Sequence, residues 1–294
     1  MSEFSNTASI DVILAVGAGG GAVPADASAL LQALGTRGLR ARLAAWADPA
    51  VNWSRGRLVV RIGPDLPQRG DALRRWIDRL QASGAVLANP APVLRWGLDK
   101  RHLADLRMRG VEIVPTRFIE GGRQARLVDP ARELGAHDIV IKPTVGLGGF
   151  GVRRFDLGRG ALAANRHVRA LLMAGDIAIQ PYQGAPARSL VFLGGIYSHA
   201  VLARPFDAAP EACEPTDQEI AFAEAVLSLS MTETLHARVD LVPGEMGPRL
   251  LGLKLGGSAL HLAAAKDGAG RLADQILLRL RRLERQKQAR KVRG

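Results

Sequence analysis

DIVIKPTVGLGGFGVRRFD, residues 138–156, joins a β-branched run ending at Lys142 to a glycine-rich connection and a second strand-like run. Gly146, Gly148, Gly149 and Gly151 carry no Cβ, so the connection can take positive φ and turn several backbone N–H groups toward one anion. Lys142 sets a point charge beside them. The stretch therefore predicts a phosphate cradle built from backbone, suited to a nucleoside triphosphate.

Two familiar phosphate loops do not fit. The string lacks the Gly-Lys-Ser/Thr ending of a P-loop, and no helical run follows its last glycine, so the dinucleotide fingerprint fails as well. Val152, Phe155 and the flanking arginines alternate as a strand does. The connection thus lies between two strands, where a plain glycine hairpin is the competing explanation.

The 294 residues, 47% of them hydrophobic, can bury a substantial core and predict two or three compact units. No apolar run is long enough to span a bilayer, and residues 1–17 lack the basic start of a secretory signal. The expectation is a cytoplasmic protein with no membrane partner. Cys213 is the single cysteine, which excludes an intrachain disulfide and a thiolate metal cluster.

The net charge is +12, and residues 275–294 hold eight basic side chains against Glu284 alone, so +7 lies in this tail and +5 elsewhere. Ile276, Leu277, Leu280 and Leu283 keep helical spacing, which predicts a packed helix fraying into a basic arm over RQKQARKVRG. No aromatic residues interleave the charges, so solvation is the default, with RNA or an acidic protein as the alternative partner.

Along the chain, strands are expected at 10–17, 40–47 and 56–63, with helices at 27–37 and 70–82, a β-α-β alternation. The glycines of 17–21 lack dinucleotide spacing before Pro24 and read as a plain connection. A helix over 98–110 and a strand in EIVPTRFI close a small α/β domain near residue 120. Strands near Val140, Val152, Ile179, Val191 and Val201, with a helix at 160–173, predict an α+β unit. A helix at 216–230, strands at 235–242 and 248–255, and further helix complete the chain. The predicted units are 1–120, 121–205 and 206–294.

The ordered set RWGLDK (95–100), VPTRFI (114–119), DIVIKPTVGLGGFGV (138–152), IQPY (179–182), SLVFLGGIYSHAVLARP (189–205) and ARVDLV (237–242) resembles the ATP-grasp superfamily. Its D-cycloserine synthetase type of carboxylate–amine ligase is the nearest branch, with glutathione synthetase and D-alanine:D-alanine ligase more distant. The resemblance implies a small N-terminal α/β domain followed by two β-rich subdomains clasping ATP. It places Lys100 and Lys142 on the phosphates, the glycines from Gly146 to Gly151 over them, and Gln180, Pro181 and Tyr182 beside adenine. Such ligases transfer a phosphoryl group from ATP to a carboxylate, and an amine then attacks the acyl phosphate. An amino-acid-like substrate is implied.

The resemblance also implies three Mg²⁺ ligands. Asp240 matches the first, but Gly252 and Lys254 stand at the other two. Lys254 would put an ammonium on the phosphate-facing side of its strand. Where relatives carry a phosphate-binding arginine, the segment FDAAPEACEP has none, and Ala187 stands where a glutamate is expected. Glu211, Glu214 and Glu245 are the remaining acids that could reach a metal from loops. In the N-terminal domain, Asp65 and Arg61 are the residues placed to meet an acceptor substrate.

Three readings stay open: an ATP-dependent ligase with a rearranged metal site, a catalytically degenerate ATP-grasp pseudoenzyme that binds nucleotide or a partner, and a basic module for RNA or an acidic carrier. A homodimer is the default assembly.

Overall fold

A computed structural model gives the protein's architecture, describing residues 10–17, 22–65, 68–122, 128–203, 210–230 and 234–293. Residues 18–21 of the first glycine run lie outside them, as does most of the segment after Ala203. The chain opens with β1 (Ile10–Val16), α1 (Ala25–Thr36), β2 (Ala41–Ala45) and β3 (Gly56–Arg61), paired in parallel in the order β2-β1-β3. From Val12 to Val16 β1 is a continuous apolar run because both of its faces are covered. Val12 and Leu14 meet Leu30 and Leu34 of α1, while Ile13 and Ala15 meet Trp46, Trp53 and Trp76.

A two-residue strand, β4 (Gln68–Arg69), precedes α2 (Asp71–Ala82). Leu73, Trp76, Ile77 and Leu80 of α2 are buried at the i, i+3, i+4, i+7 spacing of one helix face. The helix expected over 98–110 is shorter, α4 (His102–Met108), and is preceded by a further helix, α3 (Ala91–Leu98). The break falls at Asp99 and Lys100, which turn outward to pair with a distant segment: Asp99 bridges Val145, and Lys100 N–H donates to Thr144 O at 2.9 Å.

The central unit contains β5 (Arg117–Ile119), α5 (Val128–Glu133), β6 (Asp138–Pro143), β7 (Gly146–Leu147), β8 (Arg153–Asp156), α6 (Leu157–Leu172) and β9 (Ile177–Pro181). Its antiparallel sheet has the order β5-β9-β6-β8. Only residues 117–119 of EIVPTRFI form strand; Ile113 instead makes an isolated bridge to Leu250. Ile139, Ile141, Ile177 and Ile179 pack under Val168 and Leu172 of α6. By alternation, Val140, Lys142 and Gln180 emerge on the opposite face.

The last unit is β10 (Ala187–Leu193), β11 (Ile196–Ala203), β12 (Glu211–Cys213), α7 (Asp217–Ser228), β13 (His236–Gly244), β14 (Gly247–Lys254) and α8 (Gly268–Arg293). Its antiparallel sheet runs β12-β11-β10-β13-β14. Thr216 and Glu219 form a capping box at the start of α7. The strands near Val191 and Val201, grouped by the sequence with the central unit, join the sheet of β13 instead, β10 pairing with β13 and β11 with β10, so sheet membership changes between Pro181 and Ala187 rather than near 205.

α8 returns to the first domain. Leu272, Ala273, Ile276 and Leu280 pack on the same core as Leu30 and Leu34, and Arg37 Nε meets Asp274 at 2.6 Å. Glu284, the only acid of the basic segment, pairs with Arg57. The arm expected to fray is helical through Arg293, with every described side chain from Glu284 onward exposed.

Candidate functional site

The central and C-terminal sheets face each other across a cleft of about 490 Å³. Three strands each present an i, i+2 pair to it: Val140 and Lys142 from β6, Arg238 and Asp240 from β13, and Gly252 and Lys254 from β14. Lys100, Gly146, Gly148, Gly149, Gln180, Pro181 and Tyr182 also line the cleft. The structure thus brings together every residue expected around the nucleotide except Gly151. That glycine is needed for packing: at φ 68, a Cβ on it would lie 3.0 Å from Leu171 and Pro143.

On the central wall, Lys142 Nζ donates to Gln180 Oε1 at 2.6 Å, and Gln180 Nε2 donates to Thr116 Oγ1 at 2.8 Å. The amide relay fixes the lysine stem pointing into the cleft. Lys100 Nζ donates to Pro143 O at 2.9 Å and Thr144 O at 3.3 Å, just ahead of the glycine connection. Gly148 and Gly149 take φ values of 57 and 78, the left-handed backbone their missing Cβ permits. β7, within this connection, pairs with β4, so the loop lies across the cleft against the first domain. Tyr182 stacks under the Arg154 guanidinium, 3.7 Å from ring centroid to Cζ, and Asp138 holds that arginine in place.

Enclosure pushes the lysines toward neutrality. Burial, then Lys254, brings Lys142 down to about 7 against the opposing pull of Asp240. Burial, then Lys254 and Lys142, places Lys100 well below the usual lysine range, and burial also lowers Lys254. Three buried ammonium groups in one cleft, with Lys254 lowering both Lys142 and Lys100, mark a site in want of an anion.

The Asp240 carboxylate is already occupied by protein groups. Its Oδ1 accepts from Ser189 Oγ at 2.7 Å and from Arg238 Nε at 2.8 Å, and its Oδ2 accepts from Arg238 Nη2 at 3.2 Å. Burial raises its pKa, but Arg238 and Lys254 more than offset this and hold it below the usual range. Gly252 offers no ligand and Lys254 repels a cation. Glu211, Glu214 and Glu245 are exposed and away from the cleft. Among the described residues no cluster of three acidic, histidine or cysteine side chains could hold a metal. With one carboxylate, a glycine and a lysine at the three expected positions, the donor set does not fit Mg²⁺, and Asp240 is bonded to Arg238 and Ser189 instead.

Asp65 lines the cleft, whereas Arg61 does not. They pair with each other in the interior, Asp65 also accepts from Trp46 Nε1 at 2.7 Å, and Arg61 Nη1 donates to Ala15 O at 3.1 Å. The guanidinium is therefore committed to the fold rather than free for a carboxylate.

Several cleft residues escaped the sequence reading. Arg238 lies two residues before Asp240 and so on the same strand face, a signal that period-2 reasoning could have used. His102 lines the cleft, and burial, then Lys254, pushes it down to about 3 against the pull of the Asp99 and Trp96 backbone. The loop after β14 carries Gly256, Gly257, Ser258, Ala259 and His261 into the cleft. Asp26, at the start of α1, anchors it by accepting from the N–H groups of Leu260, His261 and Leu262 at 2.7, 3.1 and 2.8 Å.

The family model described as D-cycloserine synthetase DcsG, N-terminal domain, matches residues 12–89. The chain is 32% identical over 283 residues to the cycloserine biosynthesis protein DcsG of Streptomyces lavendulae, covering 87% of this chain and 94% of that protein. The crystal structure of D-cycloserine synthetase DcsG aligns with a TM-score of 0.80 at 30% identity, over 92% of this chain and 99% of the other. A D-alanine–D-alanine ligase from Bacillus anthracis, solved with ATP, aligns with a TM-score of 0.67 over 95% and 99% of the two chains; its 14% identity shows the fold alone. With two sheets closing on a glycine loop and paired lysines, and a relative of this identity along most of its length, the chain belongs to the ATP-grasp superfamily, in its DcsG-like branch.

Proposed function

We propose that the cleft binds ATP, with the triphosphate between the two sheets, as in a carboxylate–amine ligase. The observation that carries this reading is the convergence of Lys100, Lys142, Lys254 and the positive-φ glycines on one cleft. Lys100 and Lys142 meet phosphate oxygens, Gly146, Gly148 and Gly149 cover them, and Gln180, Pro181 and Tyr182 flank the purine. Ammonium groups and backbone dipoles in a partly desolvated cleft offset phosphate charge more strongly than they would in water.

In the ligase reading, a carboxylate oxygen of an amino-acid-like substrate attacks the γ-phosphorus and ADP leaves. An amine nitrogen then attacks the acyl carbon, losing a proton as phosphate departs. The relative's name, which places it in cycloserine biosynthesis, supports a small amino-acid-derived substrate for this chain. A second reading, nucleotide binding without turnover, is favoured by the Arg238 and Ser189 clamp on Asp240. ADP release across a panel of amino-acid pairs separates the two.

ATP binding by calorimetry on the purified chain and on Lys142→Ala tests the shared core. The variant should lose about 1–3 kcal/mol of affinity, the worth of a charged hydrogen bond to phosphate. Unchanged binding would remove Lys142 from the site.

A further inference from the structure

Gly252 and Lys254 lie directly opposite Asp240 and Arg238 in the β13–β14 register. A Cβ built on Gly252 would sit 3.7 Å from Asp240 Oδ2 and 3.7 Å from Lys254 Nζ. The lysine ammonium therefore fills the space that a longer side chain at 252 would enter, beside the carboxylate. The two positions work as a pair: the missing side chain at one leaves room for the charge from the other.

Lys254 Nζ has no hydrogen-bond partner among the described residues, whereas Arg238 spends its guanidinium on Asp240 and on Ala259 O, at 2.8 Å. One carboxylate thus faces two cations here, with Lys142 and Lys100 on the opposite wall. A divalent ion brought to this point would be repelled by Lys254 and Arg238 and would find a single carboxylate, whose Oδ1 already accepts two hydrogen bonds and whose Oδ2 accepts one from Arg238 Nη2 at 3.2 Å. A triphosphate without a metal carries its full negative charge to the same cations and gives Lys254 the acceptors it lacks.

We propose that Lys254 takes the place of the metal, so that the cleft accepts a nucleoside triphosphate in its metal-free form and binds the magnesium complex less tightly. This rests on the nucleotide reading of the cleft given above.

Calorimetric titration of ATP into the full-length chain, once with EDTA and once with excess MgCl₂, tests it. Binding is expected in EDTA, with affinity lower by about tenfold or more in magnesium. Equal affinities, or binding that requires magnesium, overturn this inference and leave the nucleotide reading standing; no binding in either buffer overturns both.

Lys254→Met keeps the stem and removes the charge. It should weaken binding in EDTA by about tenfold and abolish the difference between buffers, and an unchanged affinity in EDTA overturns the proposal. Gly252→Glu with Lys254→Asn should reverse the preference toward magnesium. If that double variant lacks a cooperative thermal transition, the Lys254→Met titration decides.

Discussion

Lys142 Nζ reaches Gln180 Oε1 at 2.6 Å across the β6–β9 pair, so an ammonium brought down to about 7 is held by a neutral amide rather than by a counter-charge. The charged groups acting on it are Lys254, which lowers it, and Asp240, which raises it, while Lys100 shares the same cleft. A polyanion favours the protonated lysine, so binding near or above pH 7 takes up a proton. ATP affinity should fall as pH rises above about 7, by at most about tenfold per pH unit for this one proton. Calorimetry at pH 8 in buffers of different ionisation enthalpy measures the uptake, and its absence would contradict the lowered value.

Gly149 sits at φ 78 with no atom within 4 Å of a would-be Cβ. Its constraint is conformational rather than steric, and an alanine there costs about 1–2 kcal/mol in left-handed backbone. Gly149→Ala should weaken ATP binding by a similar amount while the circular-dichroism spectrum stays unchanged.

Asp26 satisfies three backbone amides of the loop that carries His261. Asp26→Ala leaves them without their acceptor in the interior, at a cost of about 3 kcal/mol. The melting temperature should drop by roughly 6–10 °C, and Asp26→Asn should recover part of it. A shift under about 2 °C would show that water replaces the carboxylate.

Residues 285–292 are exposed helix, so removing 285–294 takes away no described core contact. The melting temperature should move by less than about 2 °C and ATP affinity should not change. Salt-sensitive RNA binding that disappears with the segment would instead support the basic-module reading.

The elements that declared themselves in the sequence are those whose signal is local. β1 reads as a buried strand because every residue from Val12 to Ala15 is apolar and fully enclosed. The glycine connection was legible because positive φ and phosphate contact both ask for a missing Cβ, and the inward face of Lys254 came from the register that the family resemblance implies, with strand period placing it on the same face as Gly252. What stayed hidden depends on distant partners. The break between α3 and α4 is set by Thr144, and Asp26 serves amides 234 to 236 positions away. The occupation of Asp240 by Arg238 shows the same limit: a motif names the carboxylate but not the group already bonded to it.

The seat of α8 on the first domain bears on how the chain is made. Leu272, Ile276 and Leu280 complete the core begun by Leu30 and Leu34, so a nascent N-terminal domain emerges from the ribosome with one flank of its sheet bare. It must wait through the synthesis of both ATP-grasp sheets before that flank is covered. Closure of the last helix is then the step that commits the chain, and a translation product ending near residue 265 should expose the apolar surface over Leu30 and Leu34 and be cleared as misfolded.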